Sequence, residues 1–194
     1  VITVAQNPFR GGFLAGRLMS LQLGDRAGTL VVINTHKAAF NASERARGFM
    51  DYYADKPEFT VLEITSSASG SAEEALERIY VEYPDVRGVF VVNNAVARFA
   101  NHIVLLGRRN HTVIIGYDLV EQNRNAMLEG KVDCLISQRP EYQGYTALYQ
   151  LYRKGILSQK PDEDILIPID IILPENIMDD NSYSLQWNGK SEAK

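Results

Sequence analysis

Five short runs of apolar, mostly β-branched residues recur along the chain: Thr29–Asn34 (TLVVIN), Thr60–Thr65 (TVLEIT), Gly88–Asn93 (GVFVVN), Thr112–Gly116 (TVIIG) and Val132–Ser137 (VDCLIS). They start roughly 20 to 30 residues apart, about the length of one strand plus one crossover helix. Near-continuous apolarity is what a strand buried on both faces needs. Between the runs the apolar period lengthens to that of a helix. Asn7-Pro8 predicts a helix start, with Phe13, Leu14, Arg17, Leu18 and Leu21 on one face. Gly11, Gly12 and Gly16 would weaken that helix, which points to close packing against a neighbour. Ser71 with Glu74 forms a capping box ahead of Ala75, Leu76, Ile79 and Tyr80. Val96, Phe99, Ala100 and Ile103 make the next stripe, ended by Gly107, and a short helix over Glu121–Glu129 ends at Gly130. Tyr142–Lys154 carries Tyr145, Leu148, Tyr149 and Tyr152 at helical spacing.

The alternation predicts an α/β fold, a doubly wound parallel sheet over Asn7–Gln138 with helices on both faces. A different region follows Gly155. Lys160–Asp164 reads as a solvated loop and Ile165–Leu173 as one last strand with prolines at its margins. The polar tail Asp179–Lys194 is expected to be flexible.

Bulk properties narrow the function. The 194 residues, 45% hydrophobic and 23% charged, suit one globular unit plus part of another. A net charge of −4 argues against this segment gripping a nucleic-acid backbone. No apolar run approaches the roughly 18 residues that span a bilayer, so no membrane partner is expected. The single cysteine, Cys134, excludes an internal disulfide and suits a reducing compartment. The chain opens at Val1 on the run VITVA, without an initiator Met or signal peptide, and reads as a piece of a longer protein.

Ligands of doubly wound sheets bind outside the carboxyl ends of the strands. His36, Asn93, Asp118 and Gln138 each follow a predicted strand, and Arg45 lies near the start of the helix after the first. A guanidinium fork, a carboxylate and amides suit vicinal hydroxyls, which both donate and accept hydrogen bonds. Each residue also has a plainer reading: Asp118 as a helix cap, Asn93 as a turn residue, Gln138 as a partner for loop backbone, Arg45 as a surface arginine. Phosphate-loop, dinucleotide and nucleophile-elbow motifs are absent from the sequence, and the three histidines lack metal-ligand spacing. No enzyme and no cofactor are expected.

Four segments in register carry a resemblance. Ser43–Phe49 (SERARGF) resembles an R-x-x-G-[FW] segment, and Pro84–Asn94 (PDVRGVFVVNN) a P-D-x-x-A-[VI]-F-x-x-N-D segment. Val113–Asp118 (VIIGYD) resembles V-x-G-[FY]-D, and Gly130–Gln138 resembles G-x-[LV]-x-x-x-[IV]-x-Q. All four are similar to the ribose-binding-protein and lactose-repressor superfamily. The resemblance implies that Arg45 clamps sugar hydroxyls and that Asn93, Asp118 and Gln138 contact the ligand. His36 would stand at the pocket wall and Gln6 at the first crossover between two lobes. Asn94 departs from the family, which often has Asp there. The implied organisation is a remnant of the first lobe at 1–6, the second lobe at 7–138, and first-lobe elements with a return crossover at 139–178. The implied function is the effector-binding domain of a sugar-responsive transcriptional regulator. It would be cytoplasmic and homodimeric, and would reach DNA through a domain absent from this chain. The alternative is a periplasmic or sensor-linked sugar-binding protein.

Overall fold

The structure, a computed structural model, describes residues 3–65, 70–162 and 164–177. The elements follow in the order β1 (Val4–Ala5), α1 (Pro8–Leu23), β2 (Gly28–Asn34), α2 (Phe40–Tyr53), β3 (Phe59–Thr65), α3 (Ala72–Glu82), β4 (Val86–Val91) and α4 (Val96–Leu105). The chain continues through β5 (Val113–Tyr117), α5 (Glu121–Leu128), β6 (Cys134–Ser137), α6 (Pro140–Gly155), β7 (Ile165–Leu166) and β8 (Asp170–Ile172).

The five expected strands form one parallel sheet in the order β3-β2-β4-β5-β6, and β8 adds an antiparallel edge beside β6. Alternation decides which helices cover which face. Leu30, Val32, Phe90, Ile115 and Ile136 meet Ala15, Met19, Ala46 and Phe49 of α1 and α2. Val31, Ile33, Val89, Val91 and Ile114 meet Leu76, Tyr80, Phe99, Ile103 and Met127 of α3, α4 and α5. The local signals act as expected. Asn7 accepts from the Arg10 amide at 2.9 Å, and both bonds of the Ser71–Glu74 box form at 3.1 Å.

Helices α1 and α2 cross at a glycine notch. A Cβ on Gly12 would stand 1.9 Å from the carbonyl oxygen of Arg45, so only a residue without one lets α2 come this close. The crossing point is therefore the backbone of Arg45 itself.

The expected last strand divides in two. Ile165–Leu166 pairs with Val4–Ala5 in a separate two-stranded parallel sheet, whereas Asp170–Ile172 joins the main sheet. Pro168 stands between them; it has no N–H for a ladder, and its carbonyl accepts instead from Gln6 Nε2 at 2.7 Å. Helix α6 packs on β1 through its polar side. Thr146 and Gln150 are buried, while Tyr145, Leu148, Tyr149 and Tyr152 are exposed. The expected flexible tail lies outside the described residues.

Replacing Gly12 with Ala forces the two helices apart and should cost about 1–3 kcal/mol, read as a lowered melting temperature. Gly144 lies in α6 with nothing within 4 Å of an added Cβ. Its change to Ala should instead stabilise by about 0.5–1 kcal/mol. Equal effects at the two positions would contradict the notch.

Candidate functional site

The parallel sheet brings all its strand ends to one edge, and the six residues singled out from the sequence lie along it in a connected line. The His36 ring nitrogen Nδ1 is 3.0 Å from Asn93 Nδ2. Arg45, six per cent exposed, donates from Nη1 to the Val92 carbonyl at 2.8 Å. Its guanidinium lies over the Tyr117 ring, 3.7 Å from the centroid. Asp118 follows Tyr117 directly, and its Oδ1 accepts from Gln138 Nε2 at 2.5 Å. The preceding residue, Ser137, offers its carbonyl to Gln6 Nε2 at 2.8 Å.

Arg45 is held by sequence features far from it. Tyr117 extends beneath α1, where a Cβ on Gly11 would stand 1.9 Å from its hydroxyl oxygen. The Gly11–Gly12 pair thus leaves room for the ring on one side and the Arg45 backbone on the other. A stacked, desolvated cation on a tyrosine contributes about 2 kcal/mol. Burial lowers the pKa of Arg45, and the nearby Tyr117 and Asp118 push it back up. Burial pushes the Tyr117 phenol up to about 12, opposed by the Arg45 charge and reinforced by Asp118. Tyr117 is therefore a neutral platform and Arg45 a charged one.

Asp118 sits at φ 69°, a conformation that Asp and Asn tolerate better than most residues. The capping reading of this residue is not what the structure shows: Val120 is the N-cap of α5 and no side chain caps it. The turn is held instead by Asn123, fully buried on α5. Its Nδ2 donates to the carbonyls of Tyr117 at 3.0 Å and Asp118 at 2.9 Å, while Oδ1 accepts from the Ala97 amide at 3.1 Å. Sequence reasoning missed Asn123; the available signal was an amide beside Ala126 and Met127 on a helix's inner face. It also missed Tyr117, and the ion pair of Arg139 with Asp170, one contact of which is 2.7 Å. That pair ties β8 to the start of α6, where Arg139 adopts φ 51°.

Among the described residues, no three His, Cys, Asp or Glu side chains are grouped to hold a metal, and no helix is long and apolar enough to cross a membrane. Cys134 is buried and its thiol is pushed up to about 12 by burial first and by Asp133 second. It is a core residue rather than a nucleophile.

A family model described as a periplasmic binding protein domain matches residues 1–156. The D-apiose import binding protein of Paraburkholderia graminis is 26% identical over 171 residues, covering 86% of this chain and 54% of that protein. A solved structure of a putative LacI transcriptional regulator from Bacteroides fragilis superposes with a TM-score of 0.80 at 27% identity, over 89% of this chain and 61% of that one. An ABC transporter periplasmic solute binding protein from Actinobacillus succinogenes, with bound D-allose, gives 0.81 over 92% of this chain and 63% of its own; at 18% identity it shows the fold alone. The chain spans about half the length of the curated relatives it matches.

Asn123→Ala removes partners from three backbone groups at once. It should destabilise by at least about 2 kcal/mol in urea unfolding. Gln122→Ala, on the exposed side of the same helix, should stay within about 0.5 kcal/mol. A neutral Asn123→Ala would mean that the turn carrying Asp118 is held by something else.

Proposed function

The chain belongs to the periplasmic binding protein domain family, and we propose that the carboxyl edge of its sheet binds a sugar or sugar derivative without turning it over. The observation that carries this is the Arg45–Tyr117–Asp118–Gln138 group. A pinned guanidinium, a carboxylate and an amide, side by side, offer the mixed donors and acceptors that neighbouring hydroxyls need. The D-apiose import binding protein named above supports a sugar as the ligand class. Arg45, Asn93, Asp118 and Gln138 are the proposed contacts, with His36 at the wall and Gln6 at the crossover.

In the whole protein, the proposed role is the effector-binding domain of a cytoplasmic, sugar-responsive transcriptional regulator. It would act on DNA through a further domain and as a homodimer. The Bacteroides fragilis neighbour supports this reading. A second reading, an import binding protein, is favoured by the D-apiose relative. Either way, β1, β7 and α6 would belong to a first lobe, with the second lobe over 7–138. The lobes would close on the ligand, and closure would be the signal. The exposed Tyr145, Leu148, Tyr149 and Tyr152 of α6 would meet a partner surface there.

Calorimetric titration of the full-length protein with D-apiose, D-ribose and D-allose tests the site. Asp118→Asn suits the backbone at φ 69° and removes the charge. It should raise Kd about tenfold or more with little change in melting temperature, because a hydrogen bond to a charged acceptor contributes about 1.5–3 kcal/mol. Unchanged affinity would remove Asp118 from the site. A gel shift on the DNA upstream of its own gene separates the two roles. A regulator should change its DNA affinity when the sugar is added, whereas an import protein should not bind that DNA. Sedimentation of the full-length protein should show a dimer for the regulator.

A further inference from the structure

The strand order reverses between β2 and β4, because the chain runs from β2 outward to β3 and then returns to the other side of β2. In doubly wound sheets this reversal opens the crevice where ligands sit. His36 follows β2 and Asn93 follows β4, so the two meet at that reversal. The backbone amide of Ala95 donates to Asn93 Oδ1 at 3.1 Å. An amide nitrogen cannot accept that hydrogen, so this bond decides which end of the side chain is oxygen. The NH2 end then faces His36 Nδ1 at 3.0 Å and Thr35 Oγ1 at 3.5 Å. Thr35 Oγ1 is itself 3.1 Å from the same ring nitrogen. Nδ1 faces a donor that cannot turn around, so it must carry the lone pair, and the ring hydrogen must sit on Nε2.

We propose that His36 is a positioning residue of the sugar site: as the neutral Nε2–H tautomer it pins the Asn93 amide at the strand-order reversal, and so makes sugar affinity depend on pH. This rests on the sugar-binding reading above. A proton on Nδ1 sets N–H against N–H. Asn93 escapes that clash only by giving up the Ala95 amide. Among the described residues, the groups at hydrogen-bond distance from Nδ1 are Thr35, from its own turn, and Asn93, from the turn after β4, and both are uncharged. Among the described residues, the charged groups of the same edge include Lys37, next in the chain, and Glu63, whose Oε1 accepts from Asn34 Nδ2 at 3.1 Å, besides Arg45 and Asp118. Affinity therefore falls when the ring takes up a second proton.

Two measurements on the full-length protein test this. Nitrogen NMR of the His36 ring near neutral pH, without ligand, should show Nε2 protonated and Nδ1 bare; the opposite tautomer overturns the proposal. Titrations with D-apiose, D-ribose and D-allose should show wild-type affinity falling several-fold between about pH 8 and about pH 5. His36→Asn can place Oδ1 where Nδ1 stands; it should bind more tightly than His36→Ala at every pH and lose the pH dependence. His36→Ala should bind about fivefold more weakly at high pH, also without pH dependence. If His36→Ala matches the wild type in both affinity and pH profile, His36 positions nothing. If no sugar binds the wild type, the sugar-binding reading fails, and the ring-nitrogen spectrum still decides the tautomer.

Discussion

Two adjacent glycines in the first helix govern where the charge of this molecule sits. Gly11 gives the Tyr117 hydroxyl its space and Gly12 admits the carbonyl of Arg45, and the guanidinium then lies over the Tyr117 ring. Gly costs roughly 0.5–1 kcal/mol against Ala in a helix interior, and the close crossing offsets that loss by letting two helices and a strand end share one small volume. A buried arginine is expensive unless its charge is answered. Here a carbonyl, an aromatic face and the field of Asp118 answer it together. The result is a cation that cannot wander, which is what orientation-sensitive recognition of hydroxyls demands.

The parallel sheet supplies the other half of the geometry. Because β2, β4, β5 and β6 run the same way, every residue just past a strand lands on one edge. That edge holds two linked clusters. His36 and Asn93 meet at the strand-order reversal, while Tyr117, Asp118 and Gln138 continue it along β5 and β6. Val92 joins them, since its carbonyl accepts from Arg45 and its chain neighbour is Asn93. Asn123 then sets the turn on which Asp118 rides.

Much of this was legible in the sequence. Runs such as TLVVIN and TVIIG are apolar on both faces, and only a central parallel strand uses such a run; the Ser71–Glu74 pair marks its helix by a purely local bond. The placement of Asn93, Asp118 and Gln138 followed from strand ends, and that of Arg45 from the helix after the first strand. What stayed hidden depends on contacts between distant segments. Nothing local to Tyr117 says that Arg45 will lie on it, and nothing local to Asn123 says that it serves two carbonyls of another element. Asp118 looked like a cap because it precedes a helix closely, but the left-handed backbone turns it toward Gln138 instead. Ile165–Leu173 looked like one strand because apolar content does not reveal that its two halves pair with different sheets on either side of Pro168.

The central claim is that one fixed group at the carboxyl edge, built on Arg45 and Asp118, recognises the hydroxyls of a sugar. A crystal structure of the full-length protein with its bound sugar tests it most directly. The account predicts sugar oxygens within about 3 Å of both the Arg45 guanidinium and the Asp118 carboxylate, with Arg45 still stacked on Tyr117. A sugar bound elsewhere, or one that leaves Arg45 and Asp118 untouched, would contradict it.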